Sequence, residues 1–303
     1  MRYDTRGHRR NFTKHIQLLN HLKGGKNLKV FFSAKSDLGL KRKLNEDSYF
    51  ADDTLGLFIV LDGIGGHFAG EVASKLGLGV IKESVIRGIK DKKRKTTFAG
   101  DSNLSPEAHI LKESLIVANQ LIYEAAHTKP EYFGMGTTVA SLLFGEKIVA
   151  FAHVGDSRIY LIRKDSIERL TEDHSLVMEQ LKRGIINEEE AEKSETKNII
   201  TRALGAEEIL IPAVDDLIFF KNDLLLICSD GLTDLVNDEE ILEIILKNRL
   251  FLDQTTQGLI DKANENGGKD NITTILVYIK SVPRKRMVDC FYSAFDWAFS
   301  RFR

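Results

Sequence analysis

The chain has 303 residues, of which 43% are apolar and 29% charged, so it can build a core and does not have the composition of a disordered chain. No stretch reaches the roughly 18 consecutive apolar residues that a membrane span needs, and the first fifteen residues lack the apolar centre of a secretory signal. Two cysteines, Cys228 and Cys290, give neither a disulfide framework nor zinc spacing, so a reducing cytoplasm is the expected location.

The net charge of −1 conceals basic ends and an acidic centre. Residues 1–30 hold eight Lys or Arg against one acid, and residues 284–303 hold five against two. The ends therefore carry +10 and residues 31–283 carry −11, which argues against a nucleic-acid-binding core. We divide the chain into a basic N-terminal extension at 1–27, one domain at 28–281 and a C-terminal segment at 282–303.

In the first half of the domain, short strands precede two long helices. The pattern predicts strands at 29–34, 48–51 and 56–61, and then a glycine-rich turn at 62–66. Apolar residues at helical spacing predict a helix over 69–89. Ser105 and Pro106 mark the start of a second long helix, because Ser caps helices well and Pro fits the first turn.

The second half alternates strand clusters with helices. Strands are predicted at 137–144, 147–153 and 158–163, followed by a polar, acidic insertion with a short helix at 175–183. Strands at 209–220 and 223–228, helices at 237–248 and 252–265, and a strand at 271–279 complete the domain. This order predicts an α+β fold, a four-layer αββα sandwich with two stacked antiparallel β-sheets flanked by pairs of long helices.

Six carboxylates lie at the ends of these predicted strands. They are Glu46, Asp47, Asp62, Asp156, Asp230 and Asp270. Packed together they would repel one another unless a cation neutralised them. Oxygen ligands at irregular, long-range spacing suit Mg²⁺ or Mn²⁺, and zinc is disfavoured because no Cys/His set accompanies them. The alternative is that each acid caps a turn, but an apolar strand followed by Asp-Gly occurs twice, which weakens it.

Eight sequence blocks in a fixed order resemble the type 2C protein phosphatases, the metal-dependent serine/threonine phosphatases, and within them the bacterial branch. The blocks are RKLNEDSYF (42–50), VLDGIGGHFAGEVAS (60–74), GMGTTVASLLF (134–144), AHVGDSRIYLIR (152–163), LTEDHSLV (170–177), ITRALG (200–205), CSDGLTD (228–234) and GGKDNITTILV (267–277). The resemblance makes 28–281 the catalytic domain, with a flap at about 171–199. It implies hydrolysis of phosphoserine and phosphothreonine in phosphorylated proteins, opposing a Ser/Thr kinase.

The resemblance also implies a set of metal ligands. Asp62 would bridge two Mn²⁺ or Mg²⁺ ions, with the Gly63 carbonyl on one of them. Asp230 and Asp270 would complete the protein ligands of the other ion. A water between the two ions would then attack phosphorus in line. Asp156 resembles the bacterial ligand for a third, weaker ion; the competing interpretation is a turn aspartate that orders Arg158.

Three further residues receive catalytic roles by the same resemblance. Arg42 would bind the phosphate with its planar guanidinium, and the alternative is a solvated charge in the basic run 41–43. Glu46 and Asp47 would hold metal-bound waters or contribute directly. Some eukaryotic members have a His at the position of Ile64 as a suspected general acid, and His67 should not inherit that role.

Two questions stay open from the sequence. The first is whether the chain is an active phosphatase or a silent homologue that binds phosphoproteins; all matching acids are present, which favours activity. The second concerns residues 287–303, whose apolar residues recur at the spacing of one helix face. This amphipathic helix is expected to dock on the protein's own body or on a partner. A membrane surface is less favoured, because two aspartates lie on the polar face.

Overall fold

The computed structural model describes residues 28–65, 68–91, 103–128, 130–146, 148–192, 194, 196 and 198–282. The predicted N-terminal extension, His67 and the predicted C-terminal helix lie outside these residues. None of the helices in the described ranges is long and apolar enough to cross a membrane.

The first half of the domain follows the predicted order. Its strands are β1 (Lys29–Asp37), β2 (Ser48–Asp52), β3 (Leu57–Leu61) and the two-residue β4 (Gly63–Ile64). Two long helices follow, α1 (Ala69–Lys90) and α2 (Pro106–Thr128). The hydroxyl of Ser105 accepts the Ala108 N–H, as expected of a helix cap. A 3₁₀ turn at Pro130–Tyr132 then leads back to the strands.

The second half contains most of the remaining sheet and a second group of helices. Its strands are β5 (Gly136–Thr137), β6 (Val139–Phe144), β7 (Val149–Val154), β8 (Arg158–Arg163), β9 (Ser166–Arg169), β10 (Ala213–Leu217), β11 (Leu224–Cys228) and β12 (Ile272–Ser281). Its helices are α3 (Leu176–Lys182), α4 (Glu188–Glu192), α5 (Asp230–Thr233), α6 (Asp238–Lys247) and α7 (Leu252–Glu265).

Two five-stranded antiparallel sheets stack face to face. Sheet A has the order β1-β12-β11-β8-β9, and sheet B has the order β10-β7-β6-β3-β2. One apolar cluster fills the space between the sheets, and a second joins sheet B to α1 and α2. A third cluster joins sheet A to α5, α6 and α7. The four-layer αββα arrangement predicted from the sequence is therefore confirmed.

The central strands show why the sequence specifies these layers. Side chains alternate between the two faces of a strand, so a strand covered on both faces must be apolar throughout. In β3, Phe58 and Val60 point between the sheets, whereas Leu57, Ile59 and Leu61 pack against the helices. In β11 all five residues are buried in the same two-sided manner. Both strands end at the same edge of the sandwich, each directly before a polar turn.

The sequence prediction was wrong at several elements: helices α4 and α5 were not predicted, and three strands differ. The strand expected at 209–220 is confined to Ala213–Leu217, because the preceding loop is held to α2 by hydrogen bonds. Strand β9 was missed, since the short, polar sequence SIER carries little apolar periodicity. The strand expected at 137–144 is divided into β5, which pairs with β4, and β6, which belongs to sheet B.

Candidate metal centre

Asp62 is fixed by its backbone at the end of β3. Its N–H donates to the Thr138 hydroxyl (3.1 Å), and its carbonyl accepts both the Thr138 N–H (2.8 Å) and the Thr137 hydroxyl (2.8 Å). Burial raises the pKa of Asp62 well above its usual range, and the neighbouring Asp230 and Asp47 raise it further. Asp62, the residue predicted to bridge two metal ions, therefore lies among other carboxylates of the same charge.

Asp230 meets Asp62 from the other sheet. It begins the single-turn helix α5 one residue after β11, and its carboxyl group lies close enough to that of Asp62 to raise the pKa of Asp62. Burial raises the pKa of Asp230 to about 6. A divalent cation between the two carboxylates would offset their mutual repulsion.

Asp47 is a buried carboxylate that is satisfied on one side only. Its Oδ2 accepts the hydroxyls of Thr273 (2.6 Å) and Ser229 (2.8 Å). Its Oδ1 is buried and has no hydrogen-bond partner, and burial raises the pKa of the group to about 7. The sequence analysis did not single out Ser229 and Thr273, although Ser229 immediately precedes Asp230 in the motif CSDG.

Glu46 is positioned by Asn271, a residue that the sequence analysis also missed. The Asn271 side-chain oxygen accepts the Glu46 N–H (2.8 Å), and its amide donates to the carbonyls of Leu38 and Leu44. Burial raises the pKa of Glu46, whose Oε1 is buried without a partner. The Asn271 side chain therefore joins the loop before β2 to the turn that carries Asp270.

Arg42 forms ion pairs with two acids of this group, a short one with Asp270 and a longer one with Glu46. The Arg42 Nη2 lies 2.6 Å from Asp270 Oδ2, and its Nη1 lies 4.0 Å from Glu46 Oε2. The Arg42 side chain is 48% exposed, so solvent or a ligand can reach the guanidinium. This geometry argues against a merely solvated charge, the alternative that the sequence left open.

Asp156 lies after β7, next to the same carboxylates. Burial raises its pKa to about 8, and Asp230 and Asp173 add to the effect. The competing interpretation was that Asp156 orders Arg158. Instead, Arg158 is bound by Asp173, with Nε and Nη2 at 3.0 and 2.7 Å from the two carboxylate oxygens. A further acid that the analysis missed, Asp234, raises the pKa of both Asp156 and Asp230.

The two histidines of the motifs serve the architecture. His153 Nε2 lies 2.8 Å from the Glu172 carbonyl and must donate to it, whereas His174 Nδ1 accepts the Gly155 N–H. The rings stack with centroids 4.8 Å apart. Burial lowers the pKa of both imidazoles, that of His174 to about 4, so neither is suited to be a general acid at neutral pH. Their structural assignment from sequence agrees with these contacts.

Close backbone packing explains two glycines beside the acids. A Cβ on Gly63 would overlap the Gly70 carbonyl and lie 2.7 Å from that of Glu46. A Cβ on Gly70 would lie 2.5 Å from Glu46 Oε1 and 2.8 Å from the Gly63 carbonyl. Both positions therefore exclude any side chain, and they keep the Gly63 carbonyl beside the Glu46 carboxylate.

The donor set fits a hard divalent cation. One buried oxygen on each of Glu46, Asp47 and Asp230 has no hydrogen-bond partner in the part of the chain that the structure describes, and uncompensated buried acids are costly without a counter-ion. In the described ranges, no three His, Cys, Asp or Glu side chains lie close enough together to hold a metal ion by themselves. Mg²⁺-type ions bind through one or two carboxylates and keep several waters, and the oxygen donors present here are of the kind they use.

Comparison with known proteins identifies the relatives of this chain. Residues 21–272 match the family described as Protein phosphatase 2C. A serine/threonine phosphatase stp from Listeria welshimeri is 39% identical over 248 residues, which is 80% of this chain and 93% of the relative.

Two solved structures resemble the fold closely. The serine/threonine phosphatase PstP/Ppp of Mycobacterium tuberculosis has a TM-score of 0.72 at 33% identity and covers 83% of this chain and 99% of its own. The catalytic domain of PstP in complex with two manganese ions has a TM-score of 0.70 at 33% identity, with coverage of 84% and 99%.

Proposed function

The chain belongs to the protein phosphatase 2C family, and from that premise we propose that it hydrolyses phosphoserine and phosphothreonine in proteins with two Mn²⁺ or Mg²⁺ ions, in opposition to a Ser/Thr kinase. It is a serine/threonine protein phosphatase by family. The observation that carries the metal dependence is the set of buried, partnerless carboxylate oxygens on Glu46, Asp47 and Asp230.

Four residues are proposed to hold the two ions. Asp62 would contact both ions, the Gly63 carbonyl would bind one, and Asp230 and Asp270 would bind the other. When bound, the ions neutralise the carboxylates and supply an activated water for attack on phosphorus. The solved relative with two manganese ions supports this assignment by analogy.

The remaining residues are proposed to position water and phosphate. Asp47 has one oxygen held by Ser229 and Thr273, so its other oxygen keeps a fixed direction for a water ligand. The backbone of Glu46, and not its carboxylate, is held in place, because its N–H donates to the Asn271 side chain. Arg42 binds the phosphate dianion with two N–H groups, since the guanidinium is partly exposed at the rim.

Asp156 is proposed as a ligand of a third, weaker ion shared with Asp230. Two observations support it: Asp156 raises the pKa of Asp62, and Arg158 is bound by another acid. We also propose a cytoplasmic location, because the two cysteines form no disulfide framework. Docking of the C-terminal helix on the protein's own body or on a partner stays a prediction.

A direct assay tests the function. Purified protein should hydrolyse para-nitrophenyl phosphate and a phosphothreonine peptide when Mn²⁺ is added, and lose both activities in EDTA. Binding of the phosphopeptide without hydrolysis, at any Mn²⁺ or Mg²⁺ concentration, would instead identify a silent homologue.

A further inference from the structure

We propose that a groove beside the metal centre binds an apolar side chain of the phosphoprotein substrate, a few residues away from the phosphorylated one. We call it the isoleucine groove; it has a volume of about 220 Å³ and is lined by Arg202, Ala203, Glu207, Ile209, Leu210 and Ile211. The inference rests on the proposed phosphatase function and names a feature of the substrates that the enzyme selects.

The groove presents two large apolar side chains to solvent. Ile209 is 80% exposed and Ile211 is 73% exposed. Both isoleucines line the same groove, whereas Leu210 between them packs against the core of sheet B and its helices. Exposed neighbouring apolar groups that line a concavity are typical of a binding site.

The segment that carries the isoleucines is held in place. The Asn119 amide donates to the carbonyls of Glu207 (2.9 Å) and Glu208 (3.3 Å), and its oxygen accepts the Gly205 N–H (2.8 Å). Asn119 is itself almost fully buried in α2. The loop cannot turn its isoleucines toward the core without breaking these bonds, so their exposure is built into the fold.

The isoleucine groove lies at the catalytic end of the sandwich. Gly63 pairs with Thr137 across β4 and β5, and Thr137 pairs in turn with Leu204, the residue after Ala203 of the groove. Neighbouring strands are about 4.8 Å apart, which puts Leu204 roughly 10 Å from Gly63. An extended substrate rises about 3.3 Å per residue, so the groove is reached about three to five residues from the phosphorylated residue.

The size and charge of the groove favour a substrate side chain over a second folded protein. A volume of about 220 Å³ is smaller than the roughly 300–1,000 Å³ of pockets for drug-sized ligands, and it accommodates one or two aliphatic side chains. Arg202 and Glu207 at the rim are of opposite charge and leave the groove neutral. Binding of the phosphate fixes which substrate residue lies at the groove. A neutral apolar groove there favours substrates with an apolar residue at a set distance from the phosphorylated one.

The test uses peptides that contain one phosphothreonine among Gly and Ser residues. In each peptide a single leucine is placed two to six residues before or after the phosphothreonine. In wild-type protein with Mn²⁺, we expect kcat/KM for a leucine peptide at three to five residues to exceed that of the leucine-free peptide by on the order of tenfold, the low end for an apolar contact in a pocket. In Ile209→Asp and Ile211→Asp that ratio should fall toward one.

Leu250→Asp is the matched control, because Leu250 is also a largely exposed apolar residue, with 71% of its surface accessible. It lies far from the groove: the neighbouring Arg249 donates to the carbonyls of Lys164 and Asn222 at the other end of sheet A. This variant should keep the wild-type ratio. The proposal is overturned if wild-type protein shows no leucine preference at any position, or if the preference persists in both isoleucine variants. Absence of hydrolysis of every peptide and of para-nitrophenyl phosphate would instead contradict the proposed function.

Discussion

Two groups of buried or partly buried aspartates in this protein are stabilised in opposite ways. Asp173 and Asp223 are each bound by an arginine. Arg158 donates to Asp173 at 2.7 Å, and Arg163 donates to the two oxygens of Asp223 at 2.8 and 3.1 Å. Asp223 also accepts the Phe220 N–H at 2.6 Å. Among the described residues, Asp47, Asp62 and Asp230 are bound by no arginine, and Asp47 and Asp230 each keep a buried oxygen without a partner.

The difference shows which acids the fold itself can satisfy. An arginine that forks onto a carboxylate repays much of the cost of removing both charges from water. At the metal centre the chain supplies hydroxyls and backbone groups, but these leave part of the charge uncompensated. The remaining compensation must come from protons or from ions in solution, which makes this group dependent on pH and on metal.

The largest effect is expected from Asp62→Asn. Loss of the bridging carboxylate should lower turnover of para-nitrophenyl phosphate at limiting Mn²⁺ by about a thousandfold or more, as metal-based charge stabilisation is worth several kcal/mol. The metal-free fold should be as stable as wild type or more so, because like-charge repulsion falls. Asp165→Asn, at a largely exposed site, is the control. Near wild-type turnover of Asp62→Asn would refute the assignment.

Arg158→Met probes the arginine-bound group. It leaves Asp173 buried without its main cation, and breaking such a pair typically costs about 3–5 kcal/mol of unfolding free energy. Urea denaturation measures the change. The double variant with Asp173→Asn should recover much of the loss, since no unpaired charge remains. A double variant as unstable as Arg158→Met would show that packing, and not the buried charge, dominates.

The metal-free protein should lose stability as the pH rises. The folded-state pKa values of Asp230, Asp47 and Asp156 are raised to about 6, 7 and 8 from an ordinary 3.8, so the folded state holds protons that the unfolded chain has released. The stability is therefore fully present below about pH 4 and is lost as the pH rises towards 8.

Mn²⁺ should reverse this loss. At a hundred times its dissociation constant it adds about 2.7 kcal/mol of unfolding free energy, and it binds more tightly at higher pH because it competes with protons. Thermal unfolding at pH 5, 6.5 and 8, in EDTA and in Mn²⁺, measures both effects. A metal-free stability that is flat or rises over this range would contradict the proposed electrostatics.

Arg42→Ala should have a smaller effect, confined mainly to substrate binding. Removing the guanidinium eliminates a charge-assisted contact with phosphate but leaves the metal ligands in place. KM for a phosphopeptide should rise about tenfold, with a smaller fall in kcat. Arg42→Lys should recover only part of the loss, because a lysine ammonium cannot donate two parallel hydrogen bonds to the phosphate. If kcat falls alone, Arg42 acts on the transition state instead.

The smallest effect is expected from Asp156→Ala. Turnover should fall by roughly fivefold, in keeping with loss of one weak ion whose site shares Asp230. Asp62, Gly63, Asp230 and Asp270 remain, so the two main ions should still bind. Anomalous scattering from Mn²⁺-soaked crystals counts the ions. Loss of all bound metal in this variant would contradict a separate third site.

Local pattern predicted the layers because the central strands carry unambiguous signals. The alternation in β3 and β11 assigns each side chain to one of two cores, and Ser105 caps α2 as expected. The acids could be located for the same reason, since Asp62 and Asp230 follow those two strands directly. The family resemblance supplied the roles, which periodicity alone does not contain.

Other features depend on contacts that no local pattern encodes. The apolar run Ile209-Leu210-Ile211 reads as strand, but Asn119, about ninety residues earlier in the chain, holds the loop that precedes it. Likewise Arg158 follows Asp156 by only two residues in sequence and yet binds Asp173. Asn271 was overlooked because its partners at 38, 44 and 46 are brought to it only by the fold.

The bond between Arg42 and Asp270 has a consequence for the order of binding. The Arg42 guanidinium lies 2.6 Å from Asp270 and compensates the charge of that carboxylate. If Asp270 holds a divalent cation as proposed above, the ion and the guanidinium would compete for the same carboxylate, and Arg42 would be released for contact with phosphate. Metal binding would then favour phosphoprotein binding, and metal-free protein would bind phosphorylated targets weakly.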